Sequence, residues 1–391
     1  MSRQAKWEYL QSIHARYQQA SKAEKALILN EFCRVCSCHR KHAIRKLKAP
    51  LPSALPVRKP RVRARRYGQA CRAALQAVWE VAGFPWSVRL KALLLLWQPW
   101  IQKRYGLTPA ALAELLSISP RQMDRVLGEH KRKLSKRIYG RTKPGALLKH
   151  HIPIRTDNWD ITRPGFVELD LVSHSGNSAD GEFIYSLNLT DIYSGWTETR
   201  ALMGKGQQGV VLALGELVKA LPFTLCAIDC DNGTEFINRQ LIAFCKKHEI
   251  QFTRGRPYKK DDNAHIEQKN WTHVRKLLGW ERYDSPSALN AMNDFYRYEW
   301  RWMMNLFQPC VKLAKKVRVG SRLTRRYDAA QTPLDRLLAY QEHDHPRLQE
   351  LAASRAIRNP FLLAKSLDAQ LEHIWTLSNH RLSPKSTPSA R

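Results

Sequence analysis

Three acidic residues, each on a different kind of element, constrain what this chain can fold into more than any other feature. The stretch from Cys230 to Trp271 begins C-D-N-G-T-E-F-I-N and ends P-Y-K-K-D-D-N-A-H-I-E-Q-K-N-W, with an amphipathic segment between. Asp231 closes an apolar, strand-patterned run and is followed by Asn232-Gly233, a turn dipeptide that leaves its carboxylate at the carboxyl edge of the strand. Glu267 lies early in a helical pattern, with 35 residues between it and Asp231, one helical turn from Asn263 and Asn270. Upstream, F-V-E-L-D-L-V-S reads as a strand with Asp170 at its middle, on the same face as Glu168 and Val172. A carboxylate among core residues is costly unless it is paired or binds a cation. Acids on a strand, a strand end and a helix meet the oxygen-only requirement of Mg²⁺ or Mn²⁺, and suit zinc poorly. Two such ions can activate a water or a 3′-hydroxyl and stabilise the leaving oxygen of a phosphodiester. Asp229, two residues before Asp231 on the same face, is the nearest competitor; Glu235, Asp191, Asp261 and Asp262 read as helix-start, turn and loop acids. His265 is equally compatible with a DNA contact and with a structural role.

Charge is distributed around these acids. The net charge is +31. Residues 1–164 hold 34 Lys/Arg against 9 Asp/Glu, whereas residues 165–270 hold 11 against 14. Basic flanks around an acidic middle suit a chain that binds a polyanion and carries a metal site. A generally basic soluble protein needs no such contrast. No apolar run approaches the roughly 20 residues that span a bilayer, and the N-terminus lacks an apolar signal core, so a cytoplasmic, nucleoid-associated protein with no membrane partner is expected. Eight cysteines without framework spacing fit a reducing compartment. Cys33, Cys36, Cys38 and His39 are too crowded, with no second pair, for a structural zinc site.

The basic flank is organised. Ser21 and Glu24 form a capping box opening a helix with apolar Ala26, Leu27, Leu29 and Phe32. A second, cationic helix follows around Arg40, Lys41 and Arg45, giving a helix-turn-helix-like module over residues 1–48, with a small bundle bearing a solvated basic face as the plainer reading. Residues 49–66 form a Pro-rich linker whose Arg58, Lys59, Arg61 and Arg63 suit a phosphate backbone or a minor groove. Residues 67–145 form a second module. Two helices broken near Gly83 to Trp86 precede Thr108-Pro109, A-A-L-A-E-L-L, a short turn and Pro120, the layout of a helix-turn-helix that presents Arg121, Gln122 and Arg125. Near the acids, Tyr258, Lys259, Lys260, Lys269 and Arg275 are candidates for substrate phosphates.

Residues 162–300 read as three strands, helix, strand, helix, strand, helix, a mixed five-stranded sheet with flanking helices. One further helix is predicted over 286–303. Residues 301–377 then hold a short two-stranded ribbon with one cationic face, followed by helices; 378–391 read as a disordered tail.

These residues resemble the Asp-Asp-Glu transposases and retroviral integrases. The likeness rests on E-L-D-L-V at Asp170, D-C-D-N-G-T-E-F at Asp231, P-Y to I-E at Pro257 and Glu267, and the 35-residue separation, and it covers residues 162–300. The flanking modules and L-F-Q-P near Pro309 look similar to bacterial insertion-sequence transposases in particular. The resemblance implies a multidomain α+β chain with an RNase H-like core and Asp170, Asp231 and Glu267 as catalytic ligands of about two Mg²⁺ or Mn²⁺ ions. It further implies DNA partners, the inverted-repeat ends and the target, and a homodimer or larger assembly that cuts ends and joins their 3′-hydroxyls to target. The separated His and Cys pairs of retroviral integrases have no counterpart, so end recognition falls to the helix-turn-helix modules. A regulator that kept the fold without chemistry, or a nuclease that cuts without joining, are the alternatives. Removal of residues 1–66 is expected to weaken sequence-specific binding to element ends in a mobility-shift titration; unchanged specific binding would show that the first module has another role.

Overall fold

A computed structural model describes residues 1–51, 67–138, 161–230, 236, 239–254, 264–320, 322–340 and 346–379. The chain divides into two compact units, Met1–Arg66 and Tyr67–Arg391.

The first unit holds three helices, α1 (Arg3–Gln19), α2 (Lys22–Cys36) and α3 (Arg40–Lys48). The capping box is present: the Ser21 N–H donates to Glu24 Oε2 at 2.8 Å and the Glu24 N–H to Ser21 Oγ at 3.4 Å. Lys6 Nζ donates to the Cys36 carbonyl at 2.6 Å, satisfying one group at the open end of α2. Helix α1 is an addition to the elements expected from sequence. Its signal is the spacing of Trp7, Leu10, Ile13 and Tyr17, all buried against Ile28, Leu29, Phe32, Ala43 and Leu47. With side chains of this size each contributing about 1.5–3 kcal/mol on burial, that seam outweighs the polar remainder of the helix.

In the second unit, α4 (Gln69–Val81), α5 (Ser87–Leu96) and α6 (Gln98–Tyr105) precede α7 (Pro109–Ser117), α8 (Pro120–Val126) and α9 (Gly128–Ile138). Thr108 and Ser119 cap α7 and α8, accepting from the Ala111 and Gln122 amides. The expected strands are β1 (Phe166–Ser173), β2 (Ile184–Asp191), β3 (Thr197–Met203), β4 (Ala227–Cys230) and β5 (Gln251–Arg254). They form one sheet in the order β3-β2-β1-β4-β5. The β1–β2 and β2–β3 pairs are antiparallel; β1–β4 and β4–β5 are parallel. Helices α10 (Gln207–Ala220) and α11 (Arg239–Lys247) make the crossovers into β4 and β5. At the entry to β1, Gly165 has φ of +105° and a Cβ there would lie 2.5 Å from the Thr224 carbonyl, so only glycine lets the two strands start this close. Asp191, at the end of β2, is a turn acid as expected. It accepts from the Gly165 and Ser194 amides and from Ser194 Oγ, and burial pushes its carboxyl up.

After β5 come α12 (Ala264–Lys269), a π-helical turn over Asn270–Arg275, and α13 (Lys276–Leu278). The single helix expected over 286–303 is instead α14 (Pro286–Arg297), a break at Tyr298, α15 (Glu299–Trp302), and a second π-helical turn, Met303–Phe307. This rearrangement sets two asparagines against the outer edge of β3. Asn293 exchanges two hydrogen bonds with the Ala201 backbone, at 3.0 and 2.9 Å, and Asn305 does the same with Thr197, at 3.0 and 2.8 Å. Each amide imitates a neighbouring strand, which blunts an edge otherwise open to pairing.

The ribbon is β6 (Leu313–Val319) with β7 (Arg322–Tyr327), followed by α16 (Pro333–Leu338), α17 (Pro346–Ile357) and α18 (Pro360–Thr376). Its register pairs Lys315 with Arg326 and Lys316 with Arg325, so cations occupy both faces rather than the one expected. The apolar-basic alternation is interrupted by doubled cations, and each doublet supplies one residue to each face. Of the expected tail, Ser378 and Asn379 are ordered: Asn379 donates through its backbone to the Arg282 carbonyl at 2.8 Å and through Nδ2 to Asp284 at 2.9 Å. Residues 380–391 lie outside the described residues, as does the linker from 52 to 66. Among the described residues no helix is long and apolar enough to cross a membrane.

Asn305→Leu keeps the volume and removes both contacts to the edge of β3. With two backbone groups left unpaired, unfolding in urea is expected to show a loss of about 2–4 kcal/mol; a loss within about 0.5 kcal/mol would mean that the edge needs no cover.

Candidate active site

β1 is the central strand of the sheet, and its acids are positioned by register. Glu168 stands opposite Thr190 on β2 and Asp229 on β4; Asp170 stands opposite Asn188. Glu168, Asp170 and Val172 share one face, as the alternation requires. Glu168 is buried, and its Oε2 accepts the Ile266 N–H at 2.7 Å. That amide lies in the first turn of α12, where backbone donors have no partner within the helix. The bond therefore compensates the burial of Glu168 and fixes the start of α12 over β1.

Asp170 is half-buried. Its Oδ1 accepts the Leu171 N–H at 2.8 Å and its Oδ2 accepts Asn270 Nδ2 at 2.6 Å. Asn270 Oδ1 in turn accepts Asn188 Nδ2 at 2.9 Å, and Asn188 Oδ1 accepts Thr199 Oγ1 at 3.1 Å. A relay from β3 through β2 to the π-helical turn thus ends on one oxygen of Asp170. Glu267 lies one residue after the amide held by Glu168 and three residues before Asn270, whose side chain is held by Asp170. Its side chain is outside the described residues. So is Asp231, which follows Cys230 directly; β4 ends at Cys230, whose partner in the parallel register is Leu169, the residue before Asp170. Asp229, the nearest competitor, accepts Thr253 Oγ1 at 2.8 Å on the β5 side. Glu235, Asp261 and Asp262 lie outside the described residues, and so does the side chain of His265.

Beyond Glu267, α12 and the turn after it carry partly buried cations. Lys269 Nζ donates to the Gly195 carbonyl at 3.0 Å. Burial lowers its ammonium to about 8, with Arg89 and Arg336 adding to the effect. His273 is held well below the ordinary imidazole range by burial and by Lys269 and Arg89, and so is neutral. Arg89, on α5, donates through Nε to the Pro309 carbonyl at 2.5 Å. Lys269, a phosphate candidate by sequence, is therefore a partly buried strut. Arg275 is similarly engaged: its guanidinium lies 4.1 Å from the centre of the Trp280 ring and reaches Ser173 Oγ at 3.4 Å. Tyr258, Lys259 and Lys260 lie outside the described residues.

Of the helical candidates, Lys41 and Arg45 are exposed on α3, and Arg40 is exposed with a hydrogen bond to Asn30. Arg121 and Arg125 are exposed on α8, while Gln122 is half-buried. Arg58, Lys59, Arg61 and Arg63 lie outside the described residues. Sequence reasoning passed over Asn188 altogether, and placed Asn270 near Glu267 without a role. The available signal was a run of small polar residues, Ser186, Asn188 and Thr190, on one face of a strand whose other face carries Leu187 and Leu189.

Among the described residues no three His, Cys, Asp or Glu side chains converge. The donors that register and pinning bring towards one strand end are carboxylate and amide oxygens, a chemistry suited to hard divalent ions.

Comparison with known proteins finds a family match over the residues of the five-stranded sheet. Residues 162–260 match the integrase core domain family. The chain is 36% identical over 332 residues to the uncharacterized protein y4rM of Sinorhizobium fredii (strain NBRC 101917 / NGR234), covering 84% of this chain and 94% of that protein. Two solved structures are similar at 16% identity. The HTLV-2 integrase catalytic core domain, in complex with magnesium and in its dimeric form, covers 38% of this chain and 90% of its own, with a TM-score of 0.29. The catalytic core domain of BIV integrase covers 47% and 97%, with a TM-score of 0.28.

Asn270→Ala cuts the relay at the carboxylate. It is expected to weaken Mn²⁺ binding about tenfold to a hundredfold by calorimetric titration while the fold is kept; unchanged affinity would separate the relay from any metal site.

Proposed function

This chain belongs to the integrase-like transposase superfamily built around the integrase core domain, and on that premise we propose that it is a DNA transposase that cuts element ends and joins them to target DNA. The core is of the polynucleotidyl-transferase kind. The observation that carries the finer reading is the grip on α12 and the turn after it: on one strand, Glu168 holds the Ile266 amide and Asp170 the Asn270 side chain, on either side of Glu267. A residue pinned in this way beside Asp170, with β4 ending one residue before Asp231, supports Asp170, Asp231 and Glu267 as the catalytic set.

These three carboxylates would hold Mg²⁺ or Mn²⁺, two ions per site, which when bound supply Lewis-acid stabilisation of the oxygens that gain and lose bonds to phosphorus. The chain's own contribution is placement. Asn270 fixes the rotamer of Asp170, Asn188 and Thr199 fix Asn270, and Glu168 fixes the helix on which Glu267 rides. In cleavage, water attacks a phosphodiester of the element end and a strand with a free 3′-hydroxyl leaves. In joining, that hydroxyl attacks a target phosphodiester and displaces a 3′-oxygen, so the number of phosphodiester bonds is conserved. The exposed cations of α3 and α8 bind the ends, and two copies of the chain or more bring two ends together. The protein then works on chromosomal DNA in the cytoplasm.

Purified protein, labelled element ends and Mg²⁺ test this reading. Asp231→Asn and Glu267→Gln are expected to leave end binding within about twofold while cutting both cleavage and joining by more than the roughly 100-fold that loss of a supporting partner costs. Strand joining by either variant would remove these residues from the catalytic set. An unaltered protein that binds ends and never cuts them would mark a regulator, and one that cuts without joining a nuclease.

A further inference from the structure

The ribbon β6–β7 has no place in the site just described, and its charge pattern is unusual for an element of its size. Between Glu299 and Asp328 the chain has no acidic residue. Within the ribbon stand Lys315, Lys316, Arg318, Arg322, Arg325 and Arg326. Two like-charge pairs, Lys315 with Arg326 and Lys316 with Arg325, are directly opposed across the strands, an arrangement that destabilises a hairpin. A two-stranded hairpin is marginal in water by itself, and here Arg318, Thr324, Arg325 and Arg326 are all exposed. The root, by contrast, is firmly built. The Lys312 N–H donates to Asp328 Oδ1 at 2.6 Å and the Asp328 N–H to the Lys312 carbonyl at 2.9 Å; Arg336 reaches Asp328 Oδ2 at 3.0 Å. Lys312 Nζ donates to the Tyr193 carbonyl at 2.5 Å, and the Tyr327 ring meets Trp86 edge to face at 6.2 Å. A fixed root carrying self-repelling strands is an element completed by an anion.

We propose that β6–β7 enters the major groove of duplex DNA, a contact additional to those of the helical modules. The inference rests on the DNA-binding part of the proposed function and not on its chemistry. Cations on both faces select a groove over a flat acidic surface, because only a groove presents phosphates to both sides at once. The dimensions agree: strands about 4.7–4.9 Å apart fit a major groove about 12 Å wide, which admits a two-stranded ribbon. Seven residues of β6 at roughly 3.3 Å each reach about 23 Å, under one turn of B-DNA. Duplex RNA is a poor match, since its major groove is deep and narrow.

The test is anisotropy of labelled duplex DNA, and of duplex RNA of the same sequence, with the full chain over a range of salt. Replacing Lys315, Lys316, Arg325 and Arg326 by Gln is expected to make the slope of log affinity against log salt shallower by about 3–4, near 0.9 per phosphate contact. The thermal midpoint should hold or rise, because two repulsive pairs are gone. Arg325→Gln with Arg326→Gln alone should give about half that change in slope. An unchanged slope in the four-residue variant overturns the proposal, and so does an equal ribbon-dependent loss on duplex RNA. If the ribbon dependence holds while the unaltered protein never cuts DNA, the catalytic reading fails and the ribbon's role stands. If the unaltered protein binds no duplex, both fail.

Discussion

The structure turns on a pair of hydrogen bonds from one strand. Glu168 and Asp170, two residues apart on β1, take the Ile266 amide and the Asn270 side chain from a segment about a hundred residues further along the chain. The buried carboxylate of Glu168 would be expensive without a donor, and the open first turn of α12 would be expensive without an acceptor. Each need answers the other. The consequence is that α12 cannot slide or rotate over the sheet without breaking the bond between Glu168 and the Ile266 amide, and the backbone position of residue 267 is inherited from the register of β1. A slip of one residue in β1 would turn both acids to the other face and release the helix. A site held in this way is set by the sheet rather than by the loops around it.

How much of this was legible in the sequence follows from the range of each interaction. Local signals were readable. Ser21 with Glu24, Thr108 with Pro109, Ser119 with Pro120 and Thr332 with Pro333 mark helix starts through bonds spanning three residues, and all four are present. The period-two pattern of β1 and the helical pattern of α10 are recorded in consecutive residues and were also readable. What was hidden joins distant residues. Nothing near Asn293 or Asn305 says that these amides will close the edge of β3, or that Asn188 and Asn270 will be consecutive members of one relay. Lys269 illustrates the converse. Its neighbours suggest a solvated lysine on a basic helix, and only the packing of Gly195 and Arg89 around it makes it an enclosed strut. The roles of Asp231 and Glu267 rest on sequence and on the backbone that brackets them.

The bonds of the second unit also explain why helices α4 to α8 and the sheet form one body. The segment Leu306 to Pro309 binds the helices through its backbone and its glutamine: Trp97 Nε1 donates to the Phe307 carbonyl at 3.1 Å, Arg89 to the Pro309 carbonyl, and Gln308 Nε2 to the Ala82 carbonyl at 3.0 Å. The same segment follows the π-helical turn that carries Asn305. Helices α4 to α8 are therefore referenced to the outer edge of the sheet, while α12 is referenced to its centre, and both references pass through rigid strands. Movement of α8 relative to α12 would have to break buried bonds on one path or the other.

Two partly buried cations of this unit, Lys269 and Arg89, are satisfied by carbonyls, whereas the most deeply buried arginines, Arg200, Arg282 and Arg336, are paired with carboxylates. Lys269 takes Gly195 and Arg89 takes Pro309, each giving up hydration without an ion-pair partner among the bonds described. That choice has an electrostatic consequence. A carboxylate set close to these cations would neutralise them and would itself be neutralised, and a site meant for divalent ions would lose the uncompensated charge that attracts them. Dipoles of carbonyls stabilise a cation without supplying a mobile or titratable counter-charge. Lys269 and Arg89 thus leave the acids of β1 without a counter-charge from this group while the net charge of residues 165–270 stays negative, and much of the positive charge is carried by exposed residues of the helices and the ribbon. Around α12 the separation of charge visible in the sequence is maintained in three dimensions because Lys269 and Arg89 are paired with backbone carbonyls rather than with the acids of β1.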